Sequence, residues 1–285
     1  MVSYDETLLK ARDELNEIPE EKQDKIDLLR SAVLNAMDRH QLPRNARVDD
    51  KMLIRLLRPK KYNVEKALKL YINYHRLRER LGEDQFSYES VKRALDSGVF
   101  DLTEGRGTDG SQGFIMYLTR WDTHEFTMAD MVCASIFIVE ALFDKYEDLE
   151  IHGIRLLADF EDFTFIQQLK TQAMLLGGGR SLMAEFIEMA FPMRVKGLQA
   201  VNQAWYVSTI VMILKPFLSH KLKNRIILHG RNYDGLHEFF NPEVLPISMG
   251  GTQCALSTLT ELLREYNDKY AAPRIARRTY RTTAI

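Results

Sequence analysis

Three groupings of residues in this 285-residue sequence have the types and spacing of a reactive or ligand-holding site. Asp159 and Glu161 stand two apart at the end of an apolar run, where alternate strand residues share a face. Two carboxyls so placed could act as general acid and general base; their plainer role is structural, answering helix N-termini or arginines. Gly177, Gly178 and Gly179, followed by Arg180 and Ser181, would let backbone amides approach a phosphate at a helix start. A phosphate loop, however, needs a lysine before the hydroxyl residue, and the preceding LKTQAMLL reads as helix, so the run is expected to be a flexible helix-to-helix joint. The third grouping is basic. Arg194 and Lys196 flank Val195 at strand spacing and so point one way, either as solvated surface charges or as part of a site. Downstream, Lys215, His220, Lys221, Lys223 and Arg225 crowd the end of a long apolar segment, an arrangement suited to insertion beside anionic headgroups.

Other chemistry finds no support in the sequence. There is no GxSxG elbow and no HExxH, and the seven histidines are scattered, with His220 and His229 belonging to a polar surface. Cys133 and Cys254 lie far apart and outside metal-ligand spacing. No catalytic residue, cofactor, metal site or disulfide framework is therefore expected. Formal net charge is -1, from 39 basic and 40 acidic side chains, so no global field draws the chain to nucleic acid, and an electrostatic partner must be met by a local patch. The N-terminus lacks the basic start and apolar stretch of a signal peptide, and no apolar run approaches the ~18 residues of a spanning helix. The expectation is a soluble, cytoplasmic protein.

The elements that must position these groups are legible in the periodicity. Leu28, Leu29, Ala32, Val33 and Ala36 recur at helical spacing, as do Met52, Leu53, Leu56 and Leu57. Val64 to Arg80 sets Ala67, Leu68, Tyr71, Tyr74 and Leu77 on one side, so the first 82 residues read as a small helical bundle. Thereafter short apolar runs alternate with helical patterns, as in strands joined by crossover helices. The candidate strands are Phe114 to Thr119, Ile154 to Phe160, Lys196 to Asn202 and Arg225 to Leu228, giving a mostly parallel sheet. The last stretch carries Arg274, Arg277, Arg278 and Arg281 with no acid, a basic tail.

The segment from Asn202 to Arg225 is the most informative. Trp205, Val207, Ile210, Val211, Met212, Ile213, Leu214, Phe217 and Leu218 are too many for one helix face, so this helix is either buried all round or faces lipid. Pro216 supplies a kink. Two further stripes could line a cavity or belong to plain core: Met183, Phe186, Ile187 and Ala190, and Val132, Ser135, Val139 and Leu142. Ser135 is a single hydroxyl on an apolar face, able to hold one polar group of a ligand or to bond its own helix backbone.

The segment FPMRVKGLQAVNQAWYVSTIVMILKPFLSHKLKNRIILHG resembles the central signature of the CRAL-TRIO family of lipid-binding proteins. DDKMLIRLLRPKKYNVEKAL is similar to the family's N-terminal helical domain, and RWDTHEFT, ADFED and LPISMGGT extend the likeness over about residues 30 to 260. Within the family, the alpha-tocopherol transfer protein and cellular retinaldehyde-binding protein subgroup looks nearest. The resemblance implies an α/β fold: an N-terminal helical bundle (1–82), a CRAL-TRIO domain (83–265) with a mainly parallel sheet, flanking helices and a mobile lid helix over an apolar cavity, then a helix end and basic tail (266–285). It implies a lipid pocket drawn from Ser135, Ile138, Val139, Phe163, Phe165, Met183, Phe186 and Ile187, and a lid carrying Trp205, Val207, Ile210, Val211, Leu214 and Phe217. Basic residues near the lid bind phosphoinositide phosphates in such relatives, and the matching positions here are Lys60, Arg194, Lys196 and Arg225. The implied partners are a hydrophobic small-molecule lipid and, reversibly, a phosphoinositide-containing membrane surface. The alternative is a phosphoinositide-sensing interaction module, or a phospholipid-transfer protein without isoprenoid cargo. Two departures stand out: Asp162 where the family reads Gly after Asp-x-Glu, and Ala204 where the family has the Pro of Asn-x-Pro at the lid's start.

Overall fold

The strands are short because each is bounded by glycine, a turn or a helix cap, and their alternation fixes which face each residue serves. In the computed structural model, which describes residues 3–186 and 193–269, five strands form one sheet in the order β1-β2-β3-β4-β5. These are β1 (Phe100–Arg106), β2 (Gln112–Tyr117), β3 (Ile154–Asp159), β4 (Val195–Val201) and β5 (Ile226–Leu228). β1 pairs antiparallel with β2, and every later pairing is parallel. Phe114, Leu156 and Leu198 align across three strands and face one layer of helices, while Ile115 and Leu157 face the other side.

The first layer is dominated by α6 (Met128–Lys145), opened by a Thr127/Asp130 capping box and buried along nearly its whole length. A short α7 (Leu149–His152) leads into β3. The chain returns to β4 through α8 (Phe165–Met174) and α9 (Arg180–Ala184). Between them, Leu175–Gly179 forms a π-helical turn in which Gly178 takes a φ of 115°, so the glycine run is the helix-to-helix joint expected from sequence. The opposite face is covered by residues 233–249, where Leu236, Phe240, Leu245 and Met249 close over Ile115, Leu157 and Val201.

Ahead of the sheet stand α1 (Tyr4–Leu15), α2 (Pro19–Asp38), α3 (Asp50–Leu57), α4 (Val64–Leu81) and α5 (Tyr88–Asp96). Helices α2 to α5 join α6 in one continuous core that runs from Ile26 to Leu263. Arg58 and Arg55 tie this bundle to α7: Arg58 bonds Glu17 and Glu150 at 2.9 Å each, and Arg55 bonds Glu150 at 3.0 Å. Two sequence expectations change. The antiparallel edge strand β1 was not anticipated, because FDLTEGR alternates apolar with charged residues and pairs on one side only. Asp162, in the place of the family's glycine, adopts the left-handed conformation itself with φ of 59°, which Asp tolerates better than most residues. Ile187, Ala190 and the four tail arginines lie outside the described residues.

Candidate functional site

A small apolar cavity of about 40 Å³ sits between α6 and the sheet. Phe114, Met116, Ile154, Leu156 and Val195 form its floor; Met131, Val132 and Ser135 of α6 form one wall, and Met183 and Phe186 on and just beyond α9 the other. Of the residues predicted for the pocket, Ser135, Met183 and Phe186 are thus brought together. The Ser135 hydroxyl donates to the Met131 carbonyl at 2.8 Å, so its proton is committed to its own helix and its remaining lone pair is what it offers a ligand. Ile138 lies fully inside the main core. Val139 lines a wider cleft of about 650 Å³ on another flank of α6, beside Tyr74, Arg78 and Glu140. Phe163 stacks edge-on against Phe160, and Phe165 is exposed with its ring against Tyr206. A lipid pocket typically encloses ~300–1,000 Å³. A lipid can therefore occupy this cavity only if the wall formed by Met183 and Phe186 moves outward.

The segment expected to form a lid folds as α10 (Ser208–Leu214), preceded by a tight turn at Trp205–Val207 and followed by another at Lys215–Phe217, where Pro216 ends the α-helical ladder. Val207 and Ile210 are buried beneath it, and Val211 and Leu214 are half-buried. Trp205 (83% exposed), Met212 (69%) and Phe217 point outward. They continue an apolar surface that α8 and the joint supply with Phe165, Ile166, Leu169 and Leu176. The Tyr206 ring bridges Phe165 and Trp205 across this surface, and exposed apolar side chains gathered in this way are characteristic of an interaction surface. Polar ties hold this segment to α8 and to Phe163: Gln168 Nε2 donates to the Tyr206 carbonyl at 3.1 Å and to Thr209 Oγ1 at 2.6 Å, and the Tyr206 hydroxyl donates to the Phe163 carbonyl at 2.5 Å.

Asp159 roots the lid rather than facing a substrate. Sheet register puts it on the side away from the cavity, in line with Leu157. Its Oδ1 accepts from the Glu161 amide at 2.9 Å and Asn202 Nδ2 at 2.8 Å, and its Oδ2 from Ser248 at 2.8 Å. Asn202, with φ of 58°, is where the chain leaves β4 for the lid. Glu161 is exposed. Among the described residues no three His, Cys, Asp or Glu side chains gather as metal ligands, and no helix is long and apolar enough to cross a membrane.

The basic residues form a cleft of about 170 Å³ lined by Lys60, Arg194, Lys221 and Arg225, with Ser219 at its rim. Val195 lines both this cleft and the apolar cavity. A register shift between β3 and β4 at this point acts as a bulge: Val195 pairs with Ile154 and Gly197 with Arg155, leaving Lys196 extra and turned beside Arg194. The cations crowd one another. Burial, then Arg194 and Lys10, push the Lys196 ammonium below its ordinary pKa. Burial, then Arg225, Arg194 and Lys61, do the same to Lys221. Lys221 was noted in the sequence only as one of a basic run; its place in the cleft comes from α11 (His220–Lys223), which Ser219 caps and whose first turn carries it back toward β4. Glu14, the acid that meets these cations, lies 180 residues away from Arg194 in the chain and gives no local signal.

An apolar cavity between α6 and a mainly parallel sheet, adjoined by a cationic cleft, defines a lipid-binding α/β domain. Residues 97–251 match the CRAL/TRIO domain model, and the chain belongs to that family, which binds hydrophobic lipids. It is 33% identical over 252 residues to Clavesin-1 of Xenopus laevis, covering 87% of this chain and 73% of that one. It is 32% identical over 250 residues to Clavesin-2 of Homo sapiens, covering 86% and 74%. The crystal structure of Sfh5 superposes with a TM-score of 0.53 at 11% identity, over 73% of this chain and 80% of that one, a likeness of fold alone.

Proposed function

We propose that this protein binds a small hydrophobic lipid beneath α10 and transfers it, releasing it at phosphoinositide-containing membranes. The observation that carries the reading is the shared wall at Val195: the apolar cavity and the cationic cleft adjoin, so one membrane contact engages both. The cavity holds the apolar body of the ligand, each square ångström removed from water contributing about 25 cal/mol. Lys60, Arg194, Lys196, Lys221 and Arg225 meet headgroup phosphates, with Arg194 and Arg225 offering forked donors and the lysines point charges. The apolar surface of Trp205, Met212 and Phe217 enters the interface, which favours the open lid by differential binding. The resemblance to tocopherol- and retinaldehyde-binding relatives makes an isoprenoid the first cargo to test, in a cytoplasmic carrier that visits membranes reversibly. No covalent step is required. The test is transfer of a fluorescent tocopherol analogue between donor and acceptor vesicles. Transfer should accelerate when the acceptor carries a phosphatidylinositol bisphosphate; no transfer to any acceptor would refute the carrier.

The small volume of the cavity favours one second reading, a phosphoinositide-sensing interaction module whose apolar interior serves stability. In that case the protein would bind the same vesicles and move no lipid.

A further inference from the structure

The basic cleft already meets an anion of the protein's own. Arg194 Nη2 donates to Glu14 Oε2 at 2.5 Å, and Lys196 Nζ lies 3.4 Å from the same oxygen. Arg194 uses its other terminal nitrogen on the Ile151 carbonyl, so the guanidinium is oriented toward Glu14 by the backbone ahead of β3. Among the described residues neither Lys221 nor Arg225 forms an ion pair. One carboxylate thus answers both Arg194 and Lys196, with Asp109 a more distant second partner of Lys196 at 3.8 Å.

The helix that brings Glu14 is lightly held. The buried apolar contact of α1 consists of Ala11 and Leu15 against Ile151. Its other ties are polar and side-chain borne: Lys10 to the Asp109 carbonyl and, at 3.2 Å, to His152 Nδ1, and Thr7 Oγ1 to His152 Nε2 at 3.1 Å. Immediately after α1 the chain turns through Asn16, with φ of 57°, and is then pinned by the buried Glu17–Arg58 pair. Release of α1 therefore costs only a small apolar contact and a few exchangeable hydrogen bonds, while the pivot at Asn16 stays anchored. Tyr4, Leu8 and Leu9 are exposed on α1, so a released helix has apolar side chains with which to lie on a bilayer.

We infer that Glu14 is a specificity-determining residue: α1 is a displaceable strap whose carboxylate sets the minimum headgroup charge that gains access to Arg194 and Lys196. The inference rests on the reading of the cleft as a headgroup site. A headgroup bearing one negative charge gains little over the carboxylate it must displace. A bisphosphorylated headgroup brings close to two charges and three acceptor oxygens per phosphate, and it wins the exchange. Headgroup binding and docking of α1 exclude each other, so the protein discriminates by charge number without a dedicated contact for each phosphate.

The test compares the wild type with Glu14→Gln and Asp13→Asn. Asp13 is an exposed neighbour on the same helix that forms no ion pair among the described residues, so its substitution removes the same charge without touching the cleft. Sedimentation is measured with vesicles containing phosphatidylinositol bisphosphate and with charge-matched phosphatidylserine vesicles. Glu14→Gln should bind phosphatidylserine vesicles at least fivefold more tightly than the wild type does and lose most of the preference for the bisphosphate. Asp13→Asn should keep the wild-type preference. Glu14 is 42% exposed at its side chain, and thermal melting confirms that the variant is folded. In hydrogen exchange, amides 8–15 of the wild type should lose protection with bisphosphate vesicles and keep it with phosphatidylserine. Unchanged preference in Glu14→Gln, or α1 protection that persists on bisphosphate vesicles, overturns the strap even where the cleft binds headgroups. Should Arg194→Ala with Lys196→Ala leave bisphosphate binding intact, the headgroup reading falls and the strap with it.

Discussion

Lys196 and Lys221 are cations held among cations, and that crowding is what an arriving phosphate would relieve. Both ammonium groups are pushed below their ordinary pKa, first by burial and then by neighbouring charge, so the cleft gains more from an anion than isolated surface lysines would. Replacing Lys221 by Ala is expected to weaken binding to bisphosphate vesicles by about tenfold, the worth of one charge-assisted hydrogen bond of roughly 1.5 kcal/mol. Titration by vesicle sedimentation at two salt concentrations checks this, and the variant should also show the weaker salt dependence. Asp159 is the contrasting case. Its oxygens are taken by the Glu161 amide, Asn202 and Ser248, so its charge holds the root of the lid to the C-terminal turn. The carboxyl that looked most like an acid–base partner in the sequence is a structural group, because strand register turns it away from the cavity.

At the scale of elements, α10 divides its apolar residues between two tasks. Val207 and Ile210 seal the core, whereas Trp205 and Met212 face outward, the Trp205 ring meeting that of the neighbouring Tyr206. Trp205→Asp and Met212→Asp are accordingly expected to leave the melting temperature within about 1 °C of wild type, because surface changes fall within about 0.5 kcal/mol. The same variants should slow intervesicle lipid transfer at least tenfold. Val207→Asp, which buries a charge, should unfold the domain. The apolar helix α10, the glycine joint and four of the five strands are legible in the sequence because each is a local pattern: an apolar run, a break in periodicity, a bounded alternation. What was not legible depended on distance in the chain. β1 hides in a charged edge, and the meeting of Glu14 with Arg194 is made by tertiary packing. Within the predicted pocket, Ile138 and Val139 follow Ser135 on one helix, yet helical rotation carries them to the core and to another cleft.

Across the whole molecule, the N-terminal bundle is joined to the sheet by buried charge as well as by apolar packing. Burial alone would raise the Glu17 carboxyl, but hydrogen bonds from Arg58 and Lys22 bring it down to about 2. Such a group stabilises the fold above its unfolded value near 4.5, and that contribution is lost as pH falls through 2. His75 acts over a higher range. Burial lowers it from 6.5 to about 4, so below pH 6.5 the unfolded chain takes up its proton first and stability falls until pH 4. Melting temperature should therefore decline from pH 6.5 downward, in two overlapping stages. Arg58→Ala takes one partner from each of two buried carboxylates, leaving Glu17 with Lys22 and Glu150 with Arg55, and is expected to cost about 3 kcal/mol at neutral pH while flattening the stage below pH 4.5. Calorimetry across this range separates the two.

The central claim is that the small cavity between α6, the sheet and the Met183–Phe186 wall opens to carry a lipid. Its most direct test is mass spectrometry of an organic extract of the protein purified from its native tissue, against a Ser135→Trp variant whose indole fills the cavity. The account predicts an enriched hydrophobic molecule in stoichiometric amount from the native protein and its loss from the folded variant. An extract in which no lipid is enriched over the variant would contradict it.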